Sequence, residues 1–137
     1  MVRPLAAVAA ALLLAGCGGG SKSGDASPVP CDDAAFRAQD EELYVTSTVI
    51  SNALGGAGDP ATALLDLRRA RAALAGYLEA HPPCAAALET VREGEGEAVS
   101  ALDDAIAALD DGSDGRAPLE TAAKAIQGAR SALAATP

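Results

Sequence analysis

One histidine, His81, serves the whole chain of 137 residues. That excludes most hydrolytic triads, histidine-rich zinc sites and the paired Glu-x-x-His motifs of di-iron bundles. His81 stands just before Pro82-Pro83, a place that suits the carboxyl end of a helix, where a cation is mildly favoured. No Cys-x-x-Cys-His haem motif, phosphate-binding glycine loop or Gly-x-Ser-x-Gly elbow occurs. The run Asp110-Asp111-Gly112-Ser113-Asp114-Gly115 offers half of a calcium loop. Aligned on Gly115 as the turn glycine, Asp110 and Asp114 fall on ligand positions, but Gly112 and Thr121 occupy two others where carboxylates belong. A solvated turn between helices is the expectation. Carboxylates without a histidine, a metal cage or a cleft signal support little chemistry, so the chain reads as a non-enzyme with no cofactor.

Arg68, Arg69 and Arg71 form the only basic cluster, a possible receiver of an anionic ligand or partner. Folding the first two helices about residue 57 places Arg71 level with Leu43, near Asp40, Glu41 and Glu42, so the cluster is expected to be neutralised within the fold. One further pair interrupts two apolar stripes. Arg71 falls in the series Leu64, Leu67, Arg71, Leu74, Leu78, and Glu95 in the series Leu88, Val91, Glu95, Ala98, Leu102. A helical hairpin pivoting near residue 83 sets Arg71 opposite Glu95. The expectation is a partly buried ion pair fixing register, with a polar ligand socket as its functional counterpart. Gly94 and Gly96 flank Glu95 and would let a neighbouring helix approach closely.

The three cysteines divide by context. Arg3 precedes an unbroken apolar run from Leu5 to Leu14, about half the ~20 residues that span a bilayer, and Leu14-Ala15-Gly16-Cys17 closes it. This resembles the lipobox of bacterial lipoproteins, and the arrangement of charge, apolar run and small residues is that of a secretory signal. The resemblance covers these residues alone. It implies removal of residues 1–16, a diacylglycerol thioether on Cys17, and a lipid-anchored protein on the extracytoplasmic face of a cell membrane. Two acyl chains hold a protein stably where one does not. Residues 17–30, rich in Gly and Ser and stiffened by Pro28 and Pro30, then read as the lipidated cysteine and a flexible tether. Cys31 and Cys84 remain, an even pair in a compartment where disulfides persist.

Those cysteines must be positioned by helices. From Asp32 onward β-branched residues are few and turn signals recur at regular intervals. The first helix opens on Asp32-Asp33, carries Phe36, Leu43, Ile50 and Leu54 inward, and ends at Gly55-Gly56. Asp59-Pro60 starts the second, which His81-Pro82-Pro83 stops. The third runs from about Cys84 to Leu109, with Leu88, Val91, Val99, Leu102, Ile106 and Leu109 inward. Pro118 opens the fourth, with Leu119, Ala122, Ile126, Ala129 and Leu133 on one stripe. Short loops between amphipathic helices make an all-α, up-down-up-down four-helix bundle over residues 31–137. Cys31 and Cys84 begin the first and third helices at the same end, so a bridge pins the bundle there.

Of the 137 residues 35 are Ala and only three are aromatic, so the core is thin and a disulfide matters to it. The net charge of −9 argues against nucleic acid and against anionic headgroups as partners. The expected role is a non-catalytic interaction module that meets another envelope protein through a helix face. The alternative is a carrier or sensor of a small ligand held between helices.

Overall fold

The computed structural model describes residues 28–137. Cys17, the apolar run and most of the tether lie outside the described residues. Five helices follow one another: α1 (Asp33–Arg37), α2 (Asp40–Leu54), α3 (Pro60–Ala80), α4 (Ala86–Asp110) and α5 (Arg116–Ala135). The last four form the bundle. α2 packs on α3 and α5, and α4 packs on the same two helices, so chain neighbours are spatial neighbours and α5 closes the ring against α2. The all-helical, disulfide-pinned four-helix arrangement expected from the periodicity is the arrangement present.

The helix starts follow from local chemistry. Asp32 accepts the backbone N–H groups of Ala34 and Ala35 and so caps α1. Asp59 does the same for α3 through Thr62, with Pro60 in the first turn. α5 begins at Arg116, two residues before Pro118, because Asp114 already accepts the Arg116 N–H. α4 begins at Ala86 rather than at Cys84, which the disulfide and Asp33 hold in the turn. Two glycines shape the α4–α5 turn. Gly112 takes φ +74°, left-handed backbone that other residues avoid. A Cβ on Gly115 would sit 3.0 Å from Leu109 Cγ and 3.1 Å from the Ala105 carbonyl.

The first helix is not continuous. At Ala38 and Gln39 the chain tightens into one turn, with Gln39 N–H donating to the Phe36 carbonyl three residues back. The helix resumes at Asp40, and the break turns the Gln39 side chain into the core, where it is fully buried.

The core is one cluster. Phe36, Leu43 and Ile50 meet Leu67 and Leu74 of α3, Leu88 and Leu102 of α4, and Ile126 of α5, all without solvent exposure. Ala98, Ala105 and Ala122 pack among them with the same completeness. Small side chains let the helices approach, so each large apolar group has neighbours on every side. The α5 stripe read from sequence is the buried one; on α4 Leu88, Val91 and Leu102 are buried, while Val99, Ile106 and Leu109 are only partly so. On α3 the stripe differs: Ala70, not Arg71, takes the inward position between Leu67 and Leu74.

At the α1 end five contacts bind three segments. Cys31 and Cys84 are joined as a disulfide across 53 residues of chain. Asp32 N–H donates to the Pro82 carbonyl at 2.9 Å. Asp33 Oδ1 accepts the N–H groups of Cys84 and Ala85, and the Tyr77 hydroxyl donates to the Ala35 carbonyl.

Candidate functional site

The basic cluster is neutralised, but not by the residues the hairpin geometry suggested. Arg71 makes a two-pronged contact with Asp103, Nε to Oδ1 at 2.7 Å and Nη2 to Oδ2 at 2.8 Å. Arg68 pairs with Asp110, and Arg69 with Asp66 on its own helix. Asp40, expected to face the cluster, is instead held by Arg130 of α5. Asp103 raises the Arg71 pKa above its ordinary value by accepting its guanidinium, and the Arg130 guanidinium lowers the Asp40 carboxyl. Arg71 and Asp103 both stand partly in solvent, so the pair contributes at most a modest amount.

Arg71 and Glu95 therefore do not meet. Two physical reasons account for it. Ala70 fills the inward position on α3, which puts Arg71 on the flank. A helical side chain also leans toward its own N-terminus, so the long Arg71 reaches away from the α3–α4 turn and finds a carboxylate beyond Glu95. The flanking glycines do not serve close approach either: a Cβ on Gly94 or Gly96 would meet nothing within 4 Å.

Glu95 is inward, as the α4 stripe requires, and it is fully buried without a cation. Burial pushes its carboxyl up to about 8, against the opposing pull of Gln39 and Arg92. Gln39 faces it from the α1–α2 break, and Thr46 lies two turns further along the same stripe of α2. All three are fully buried. Among the described residues, the Glu95 oxygens, the Gln39 amide atoms and the Thr46 hydroxyl have no hydrogen-bond partner of standard geometry, Gln39 lying only close enough to Glu95 to pull weakly on its carboxyl. The Tyr77 phenol is raised chiefly by its own burial and in part by Glu95. Gln39 and Thr46 were readable in principle. The apolar residues of α1 and α2, Phe36, Leu43 and Ile50, recur every seven residues, and the intervening inward positions fall on Gln39 and Thr46.

His81 caps the end of α3, its ring tilted against Tyr77 at a centroid separation of 4.6 Å. Asp110 and Asp114 are occupied by Arg68 and by the Arg116 N–H. Among the described residues no cluster of three or more His, Cys, Asp or Glu could hold a metal ion. No helix among them is long and apolar enough to cross a membrane.

Open grooves follow the helix seams. One lies between α2 and α5, about 690 Å³, with Asp40, Ser47 and Ser51 on one wall and Gln127, Arg130 and Ser131 on the other. Another, about 430 Å³, follows α4 and α5 past Gly94 and Lys124. Neither includes Arg71 or Glu95. No family model, no curated protein and no solved structure matches the chain.

A few large apolar groups are exposed on the bundle surface. Tyr44 and Val45 of α2 and Leu65 of α3 are exposed, and Val29 precedes α1. The other two aromatics are engaged, Phe36 in the core and Tyr77 against His81 and Ala35.

Proposed function

We propose that the protein is a lipid-anchored, extracytoplasmic interaction module without catalytic activity, tethered through Cys17 and meeting an envelope protein through α2 and α3. One observation carries the contact face. In a chain with three aromatic residues, α2 exposes Tyr44 and Val45 at successive positions, and Leu65 stands exposed on the adjoining helix. Exposed large apolar groups on neighbouring helices favour docking over solvation. The anchor rests on Leu14-Ala15-Gly16-Cys17 and the short apolar run before it. Photocrosslinkers placed at Val45 and Leu65 in intact cells should give one defined adduct that Val45→Glu abolishes. A crosslinker at Glu97, on α4, should not give it. Cys17→Ala should remove the protein from the membrane fraction and the adduct with it. Equal adducts from both faces, or wild-type protein free of membrane with its N-terminus intact, would refute the reading.

A second reading, a small polar ligand held between helices, is supported by the unpartnered atoms of Gln39, Thr46 and Glu95. Slow hydrogen exchange at α2 that slows further with an added small polar metabolite would favour it. Indifference to such molecules together with the crosslink above would favour the first.

A further inference from the structure

Gln39, at the break between α1 and α2, faces Glu95 of α4 in the core, and both side chains are fully buried. Among the described residues no cation is bonded to Glu95. A protonated carboxyl carries a donor and an acceptor, and so does a primary amide, so neutral Glu95 and Gln39 are matched in chemistry. Ionised, Glu95 can only accept. A lone carboxylate in an apolar interior is costly, so either the proton stays or water reaches the group.

The break is the weak point through which water can come. α1 has five residues, too few to hold a helix by themselves. At its end the Gln39 N–H reaches the Phe36 carbonyl at 3.3 Å. The ties along this segment divide into two sets. Its start is clasped to α3 and α4 by the Cys31–Cys84 disulfide, by Asp33 on the Cys84 and Ala85 N–H groups, and by the Tyr77 hydroxyl on the Ala35 carbonyl. Its second half is held by Phe36 in the core, by Arg37 on the Thr136 and Pro137 carbonyls, and by Gln39 itself. Beyond it, Leu43 and Ile50 root α2 in the core. Residues 36–39 are thus a strap fixed at both ends.

Charged groups on the surrounding elements do not neutralise Glu95. On its own helix Arg92 exerts a pull but is paired with Glu89 at 2.8 Å. From α3 comes the Tyr77 phenol, while Arg71 is taken by Asp103. On α1, Asp33 and Arg37 are engaged by backbone groups. On α2, Asp40 is held by Arg130 of α5, and Glu42 acts on Tyr77. The other α5 cations are Arg116, paired with Glu120, and the exposed Lys124.

From this arrangement we infer that residues 36–39 are a proton-controlled strap, closed over Glu95 while its carboxyl is protonated and bowed outward once the proton passes to solvent, with the Cys31–Cys84 clasp and the four-helix bundle intact. Opening uncovers Phe36. The device needs no guest between the helices and does not involve Val45 or Leu65.

The sign follows from linkage. A hydrated Glu95 in the open form titrates as an ordinary carboxyl, whereas burial in the closed form raises it from 4.5 to about 8. Between those values the closed form holds one more proton, so the ratio of open to closed rises about tenfold per pH unit and levels off above about 8.

Phe36 is the chain's one phenylalanine, so 4-fluorophenylalanine supplied during expression reports on the strap alone. Fluorine spectra of the full chain in detergent micelles, taken from acid to alkaline pH, should show a second signal with the isotope shift of a solvent-exposed ring. Its ratio to the buried signal should climb about tenfold per pH unit and then level, with an unchanged circular dichroism spectrum. Glu95→Gln should abolish the pH dependence. Gln39→Leu, which removes the amide that favours the ionised carboxyl, should move the transition to higher pH. A single buried signal throughout, a second signal that appears together with loss of helix, or the same transition in Glu95→Gln would overturn the inference. So would a transition left unmoved by Gln39→Leu.

Discussion

Asp33 Oδ1 accepts the backbone N–H of Cys84 at 2.6 Å, the same residue whose sulfur is joined to Cys31. The carboxylate and the disulfide tie α1 to the start of α4 by independent means. The backbone donors of Ala85 and Cys84 hold the Asp33 carboxyl below its ordinary value. A depressed carboxyl stabilises the fold above its unfolded value and loses that contribution as pH falls through the folded one. Asp33→Asn should therefore lower the melting temperature at neutral pH and leave it nearly unchanged in strong acid. An equal loss at both would show that the charge plays no part.

The bridge itself should matter more. Native protein should be lighter than the dithiol form by two hydrogen atoms. A loop closed across 53 residues confers about 4 kcal/mol by chain entropy, and reduction should lower the melting temperature by roughly 15 °C or more. Ready alkylation of Cys31 and Cys84 in the unreduced native protein would contradict the pairing.

Glu95 makes a prediction of opposite sign. Its carboxyl rises from 4.5 to about 8 because it is buried. Between those values the folded chain keeps a proton that the unfolded chain has released, so stability is full below about 4.5 and is lost as pH climbs through about 8. The groups in play around it are Gln39 from the α1–α2 break, Tyr77 of α3 and Arg92 on its own helix. Glu95→Gln keeps the volume and removes the titration. It should gain on the order of 2–4 kcal/mol at pH 8, and urea unfolding across pH 4 to 9 should come out flatter. A destabilised and equally pH-dependent variant would mean that another group titrates.

Arg71 and Asp103 are coupled, and Arg71 and Glu95 are not. A double-mutant cycle on Arg71→Ala and Asp103→Ala should return about 0.2–1 kcal/mol, as for exposed pairs. The cycle on Arg71 and Glu95 should return a value indistinguishable from zero. A coupling above about 2 kcal/mol between Arg71 and Glu95 would restore the direct contact that the geometry denies.

The Tyr77 hydroxyl holds the Ala35 carbonyl, spanning α3 and α1 beside the disulfide. Tyr77→Phe should cost about 1 kcal/mol, and amide exchange should quicken first in α1. Loss spread evenly over all helices would assign Tyr77 to the core rather than to this clasp.

By itself the sequence determined the ends of α2, α3 and α4 and the starts of α3, α4 and α5 to within a residue or two, because Asp59-Pro60, Gly55-Gly56, Pro82-Pro83 and the Asp110–Gly115 run act through local backbone chemistry; the break between α1 and α2 was not read from it. It determined the inward stripe of α5 and, on α4, Leu88, Val91, Glu95 and Leu102, whereas Val99, Ile106 and Leu109, also read as inward, are only partly buried. It also determined that Cys31 and Cys84 share an end, which follows from helix order alone. Tertiary structure decided the rest. On α3, Ala70 and Arg71 both fit the period, and only packing against α2 and α4 chose the smaller side chain for the interior. Arg71 found Asp103 because the direction of a side chain along its helix, not the level of its Cα, sets what it reaches. Gln39 and Thr46 went inward because the break at Ala38 and Gln39 and the heptad spacing of α2 carried them there, and a polar residue's burial depends on neighbours that arrive from elsewhere in the chain.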